Sequence, residues 1–163
     1  MPRPELRCFL AHAKDDPDEW IDACCNAVRL RLSWTYGEAV VVISGRDDFR
    51  RINGASAPRG KAGHRPWNEW INLVALGTTA SGEPRYHGIV VPACVVDQGV
   101  GKATAKIVEL ALDAKKPCLY YETGTERFQP IRGVEQAGDD WKSGWRLQLF
   151  YVPARLDGCG KLH

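Results

Sequence analysis

Residues 99–104 read GVGKAT, the grouping of glycine, lysine and hydroxyl that phosphate-binding loops use. A nucleotide-triphosphate loop needs Gly, four residues, then Gly-Lys-Ser/Thr, because each part touches a phosphate or Mg²⁺. With Gly101 and Lys102 in the Gly-Lys slots, the leading glycine falls on Val96 and the hydroxyl on Ala103. Thr104 comes one residue late, about 100° around a helix. The dinucleotide pattern fails as well, since its third glycine slot holds Thr104. What remains is a strand-to-helix turn in which Gly99 and Gly101 free the backbone. The helix behind it offers unpaired N–H groups and a positive dipole end to a phosphate or carboxylate. Lys102 and Thr104 would add a charge and a hydroxyl.

Other side chains could serve the same site. His12 follows a short apolar run, and Asp97 stands just before the glycine turn, able to accept a ribose hydroxyl or to cap the turn. Asp47 and Asp48 follow a second apolar run. From Gly45 to Arg65 the chain carries Arg46, Arg50, Arg51, Arg59, Lys61, His64 and Arg65, which reads as a basic loop able to reach phosphates. A loop of that length is often a lid or a binding loop.

The elements that must hold these groups alternate between strand and helix periodicity. LRCFLA (6–11) is a short strand. Asp16-Pro17-Asp18-Glu19 then reads as an N-cap, a first-turn proline and a capping-box glutamate, opening a helix striped by Ile21, Cys25, Val28 and Leu32. EAVVVIS (38–44) is a strand covered on both faces. Pro66, Trp67, Trp70, Ile71 and Val74 mark a second helix that ends near Gly77. HGIVVPACVV (87–96) is a third strand with an irregularity at Pro92. KATAKIVELALDAKK (102–116) is a third helix and PCLYYE (117–122) a fourth strand. WRLQLFYV (145–152) alternates like an edge strand.

Strands alternating with helices predict a single α/β domain over 1–163, flavodoxin-like and three-layered, with a basic insertion at about 45–66. About five mostly parallel strands in the order 2-1-3-4-5 are expected. In such sheets ligands bind beyond the carboxyl ends of the strands, where the order reverses, between strands 1 and 3. That rule gathers His12, the loop after strand 2 and residues 97–101.

Composition narrows the classes. A net charge of +2 gives no whole-chain signal for nucleic acid or a membrane, and no run of eighteen apolar residues exists. The six cysteines include no Cys-x-x-Cys pair, so reduced thiols in a cytoplasmic protein, with no metal and no cofactor, are expected.

FLAHAKDDPDEWI (9–21) resembles the start of Toll/interleukin-receptor (TIR) domains, where a strand ends in Ser-His-Ala and an acidic turn leads into the first helix. IVVPACVVDQGVGKATAKIVELALDAKKPCLYY (89–121) is similar to the matching part of both TIR domains and nucleoside 2-deoxyribosyltransferases. The resemblance implies handling of nucleosides, nucleotides or NAD-like compounds. Enzymes of that superfamily cleave an N-glycosidic bond with a glutamate on the third helix, by the logic of retaining glycosidases. Counting back from Lys116-Pro117, or forward from Ala103-Thr104-Ala105, that glutamate's place is taken by Ile107. Glu109 lies two residues further, about 200° around the helix.

The first expectation is therefore a binder of a nucleotide or nucleotide-derived small molecule without the usual glutamate chemistry. A second is an N-glycosidase or deoxyribosyltransferase using Asp97, Glu109 or Asp47. A third is a nucleic-acid or protein interaction module working through the basic loop. No membrane partner is expected, and a homo-oligomer is left open.

Overall fold

The structure, a computed structural model, describes residues 5–13, 16–37, 39–53, 64–93, 99–139 and 144–150. The elements are β1 (Leu6–Leu10), α1 (Asp18–Tyr36), β2 (Val40–Ser44), α2 (Gly45–Asn53), α3 (His64–Leu76) and β3 (Gly88–Ala93). They continue with β4 (Gly99–Val100), α4 (Lys102–Asp113), β5 (Cys118–Glu122), β6 (Arg127–Gln136) and β7 (Trp145–Leu149). The strands form one sheet in the order β2-β1-β3-β5-β6-β7-β4.

The single α/β architecture and the parallel order of the first four long strands agree with the periodicity. β1 pairs parallel with β2 and β3, and β3 parallel with β5. Beyond β5 the expectation fails. The sheet has seven strands rather than five, and β6, β7 and β4 are all antiparallel to their neighbours. The turn at 123–126 is too short for a helical crossover, and a short turn can only join antiparallel strands. β7 is consequently an interior strand between β6 and β4, not an edge. It still alternates: Leu147 and Leu149 are buried, while Arg146 is exposed.

Side-chain alternation along β1 divides the core in two. Cys8 and Leu10 join Val40, Val90, Tyr121 and the buried stripe of α1, namely Ile21, Cys24, Val28 and Leu32. Phe9 and Ala11 face α3 and α4, with Ile89, Val91, Tyr120, Ile131, Leu147 and Leu149. Cys24 takes the inward place expected of Cys25, which is half-buried. Pro17, with extended backbone at φ −62° and ψ 142°, is the residue before the helix rather than its first turn. Asp16 caps nothing; its carboxylate accepts the Ala13 N–H at 2.9 Å and folds the preceding turn.

The segment after β2 is not a loop from Gly45 onward. Its first nine residues are α2, carrying Asp47 and Asp48 in the first turn and Arg50 and Arg51 in the last, which suits the helix dipole at both ends. Residues 54–63, with Arg59 and Lys61, lie outside the described structure, as do the side chains of 64–67, including Trp67.

Pro92 sits inside an uninterrupted β3. The ladder from β3 to β1 stops at Leu10↔Val90, whereas β3 stays paired with β5 as far as Ala93↔Glu122. The even-numbered residues of β3 bond to β1, as shown by the Ala11 N–H donating to Val90 C=O at 2.9 Å. Pro92 has no N–H to extend that ladder, so the hydrogen bonding between β1 and β3 ends at the Ala11–Val90 bond.

Gly77 ends α3 where only hydrogen fits. A Cβ there would stand 2.3 Å from the Leu73 carbonyl oxygen and 2.9 Å from Arg85 Cδ. Gly77→Ala should therefore destabilise the protein by roughly 1–3 kcal/mol. Gly124→Ala, whose new methyl meets nothing within 4 Å, should be close to neutral. Urea unfolding of the two variants compares them directly; equal midpoints would refute the steric reading.

Candidate functional site

The carboxyl ends of β1 and β2 deliver His12 and Arg46 side by side. The Arg46 backbone N–H donates to His12 Nε2 at 3.1 Å. Nε2 is thereby the acceptor nitrogen, so Nδ1 carries the proton and donates to the Ala13 carbonyl at 2.8 Å. His12 is a neutral imidazole clamping the end of β1 to the start of α2, with both ring nitrogens engaged. A Cβ at Gly45 would make only ordinary contact with Nε2 at 3.5 Å, and the tighter neighbour there is Phe9 Cζ at 3.3 Å.

The Arg46 side chain is buried, and its guanidinium is committed to carboxylates. Nη1 donates to Asp18 at 2.9 Å, Nη2 to Asp22 at 2.6 Å, and Nε to Asp47 at 3.0 Å. The hydrogen bond donated to Asp47 is the largest of the effects that raise the guanidinium's pKa. Reciprocally, the Arg46 hydrogen bond holds the Asp47 carboxyl below its ordinary range. One positive charge faces three negative ones, so this cluster repels a phosphate. Arg46 braces α1 against α2, and Asp47 is one of its three carboxylate partners. Arg50 is exposed on α2.

Asp48 points the other way and is fully buried. Its Oδ1 accepts from Arg85 Nη2 at 2.6 Å and from the Tyr86 hydroxyl. Its Oδ2 accepts the indole N–H of Trp70 at 2.8 Å. Burial is the main reason that the Tyr86 phenol is pushed far above its ordinary pKa, with the Asp48 charge second. The phenol therefore stays a hydrogen-bond donor. Phe9 packs edge-on against both Trp70 and Tyr86, and Phe49 edge-on against Trp70. This hub ties α2, α3 and the segment before β3 to β1. A subtle signal existed in the sequence: Asp48, Phe49 and Ile52 fall at helical spacing, but the surrounding charges read as a loop.

The glycine turn differs from expectation in its backbone. Gly99 and Val100 form β4, paired with Arg146 and Trp145 of β7. Gly101 precedes α4 at φ −79° and ψ 169°, extended geometry open to any residue. Among the described residues, no side chain caps α4. Because β3, α4 and β5 form a parallel crossover, this uncapped end lies at the same sheet edge as His12 and Arg46. Lys102 is exposed there and Thr104 half-buried. Asp97 lies outside the described residues.

Ile107 is buried at 2% exposure on the sheet-facing stripe of α4, with Ala105, Val108 and Ala111. Glu109 is exposed on the other side of the helix. The structure thus groups His12, Arg46 and Asp47, places Gly101, Lys102 and Thr104 at the start of α4, and leaves Glu109 apart from both. Among the described residues, no group of His, Cys, Asp and Glu is arranged to hold a metal ion. No described helix is long and apolar enough to cross a membrane. No protein family, no curated protein and no solved structure matches this chain.

Proposed function

We propose that the chain is a TIR-like or nucleoside-deoxyribosyltransferase-like domain that binds a nucleotide or nucleotide-derived small molecule without cleaving its glycosidic bond. The observation that carries the reading is the placement of α4. Its N-terminus opens from Gly101 with no side-chain cap among the described residues, at the carboxyl edge of adjacent parallel strands, beside Lys102 and Thr104. Backbone N–H groups at such an edge suit a phosphate. The end of the β1–β3 ladder at Leu10 and Val90 is where a parallel sheet of this order would receive the remainder of the ligand.

The same helix argues against glycosidic chemistry. An isoleucine can neither attack an anomeric carbon nor hold a proton, and Ile107 is enclosed by the core. Glu109 would have to turn about half a helix circumference to replace it.

Calorimetry against adenine and pyrimidine nucleotides, with and without the phosphate, tests the reading. Phosphorylated ligands should bind and their unphosphorylated nucleosides should bind at least about tenfold more weakly, the scale of one charge-assisted contact. Gly101→Val, whose backbone angles admit valine, should reduce binding by a similar factor while the fold is retained. Equal binding by Gly101→Val and wild type would remove the phosphate role of this turn. Release of nicotinamide from NAD, or of free base from a deoxynucleoside, would establish the enzyme reading instead.

A further inference from the structure

The sheet ends at β2, and among the described residues β2 pairs on one side only. The pairing frame fixes which backbone groups face outward. The Leu6 N–H donates to the Ala39 carbonyl at 2.8 Å, and Leu6 is in register with Val40. In a parallel ladder this assigns Ala39, Val41 and Ile43 to bonding with β1. Val40 and Val42 therefore present both N–H and C=O away from the sheet, and Ser44 its N–H, while the Ser44 C=O serves as the first acceptor of α2. Natural edge strands are normally blunted by charge, proline or a bulge. VVVIS has none of these.

The flank of α1 beside that edge carries a charge pattern that matches its own reverse. At about 100° per residue, Asp18, Asp22, Arg29 and Tyr36 share one flank of α1. Arg46, which directly follows β2, bonds to Asp18 and Asp22, so this flank lies on the β2 side. The opposite flank holds Arg31, paired with Glu126 of the turn after β5. Along the β2 flank the amino-terminal half is acidic, and the carboxyl-terminal half carries exposed Arg29 and a Tyr36 that is 61% exposed.

We propose that β2 is the seam of a symmetric homodimer, pairing antiparallel with the β2 of a second copy about Val42. In that arrangement Val42 exchanges both backbone hydrogen bonds with its counterpart, and Val40 faces the partner's Ser44. The two α1 helices run antiparallel across the axis, so the acidic half of each faces the Arg29–Tyr36 half of the other. A two-fold interface must be self-complementary, and both the backbone edge and the charge order meet that condition. A heterologous peptide strand would satisfy the backbone but not this charge order.

Sedimentation velocity across a dilution series should show a dimer that dissociates reversibly. Val42→Pro is the sharpest variant. Its lost N–H serves no bond inside one copy, so an edge strand tolerates it. Two hydrogen bonds disappear per dimer, and association should weaken by at least about a hundredfold. Arg29→Glu should weaken it at low salt, with the difference shrinking as salt rises. Amide exchange of the wild-type protein is a second readout that needs no variant: Val40, Val42 and Ser44 should be protected at high concentration and exposed on dilution. A wild-type monomer throughout the series would overturn the proposal. So would a dimer that survives Val42→Pro, or protection of these amides at monomeric mass, which would mean that the chain covers its own edge.

Discussion

Asp48→Ala should lower the stability of the fold by about 3–5 kcal/mol, the usual cost of breaking a buried ion pair by removing one partner. Three donors converge on that carboxylate, from Trp70, Arg85 and Tyr86. Its loss strands the Arg85 cation, whose side chain is only 16% exposed, beside an aromatic cluster. Asp47→Ala is the natural control. It is the adjacent residue, but its side chain is 53% exposed and its pairing with Arg46 is shared with Asp18 and Asp22. Its cost should remain below about 1 kcal/mol. Urea unfolding should place the two midpoints far apart. A double change, Asp48→Leu with Arg85→Met, should recover much of the loss, because the desolvation penalty disappears with both charges. If Asp48→Ala and Asp47→Ala prove equally mild, the hub is not what joins α2 and α3 to the sheet.

Stability should also fall steeply in mild alkali. Burial pushes the Cys8 thiol from its ordinary 9.0 up to about 11, and the Cys118 thiol up to about 12. Each folded-state value lies above the unfolded one, so the folded protein holds these protons more tightly. The contribution is whole below about pH 9 and is lost as pH rises through 11 to 12. At 1.36 kcal/mol per unit the two thiols together account for on the order of 7 kcal/mol once both are ionised, comparable with the net stability of many domains. The Tyr86 phenol acts in the same direction. Thermal midpoints between pH 7 and pH 10.5 measure the slope. Cys8→Ala with Cys118→Ala should begin less stable, for want of core volume, but decline more gently. An identical slope in that variant would assign alkaline unfolding to other groups.

Much of the sheet was legible because its parallel part obeys simple periodicities. LRCFL, VVVIS and GIVVPA are apolar on both faces because helices cover both faces, and they emerge as adjacent strands. β6 was not legible. RFQPIRGVEQ mixes proline, glycine and charge, and its exposed residues mask the inward Ile131. Its partner β7 was visible as a strand, but without β6 it could only be read as an edge. Of the candidate site, the strand-end histidine and the glycine turn could be located from topology. The partners could not. Nothing in the spacing of Asp18, Asp22 and Arg46 shows that one guanidinium joins both carboxylates, because β2 separates them from it in sequence and the fold alone brings them together. The same holds for Asp48 and Arg85, which are 37 residues apart.

The position of β4 has a consequence for the order in which a newly made chain can settle. Gly99 and Val100 lead into α4, yet among the described residues their strand partners are Arg146 and Trp145, about 45 residues later. While the protein is being translated, β1, β2, β3, α4 and β5 can assemble from chain that has already emerged. The entrance to α4 cannot be fastened until β7 has left the ribosome and folded back along β6. The edge at which we place the ligand is thus fastened late, and a chain released before Leu149 would leave that edge open and the core beneath α4 without Leu149.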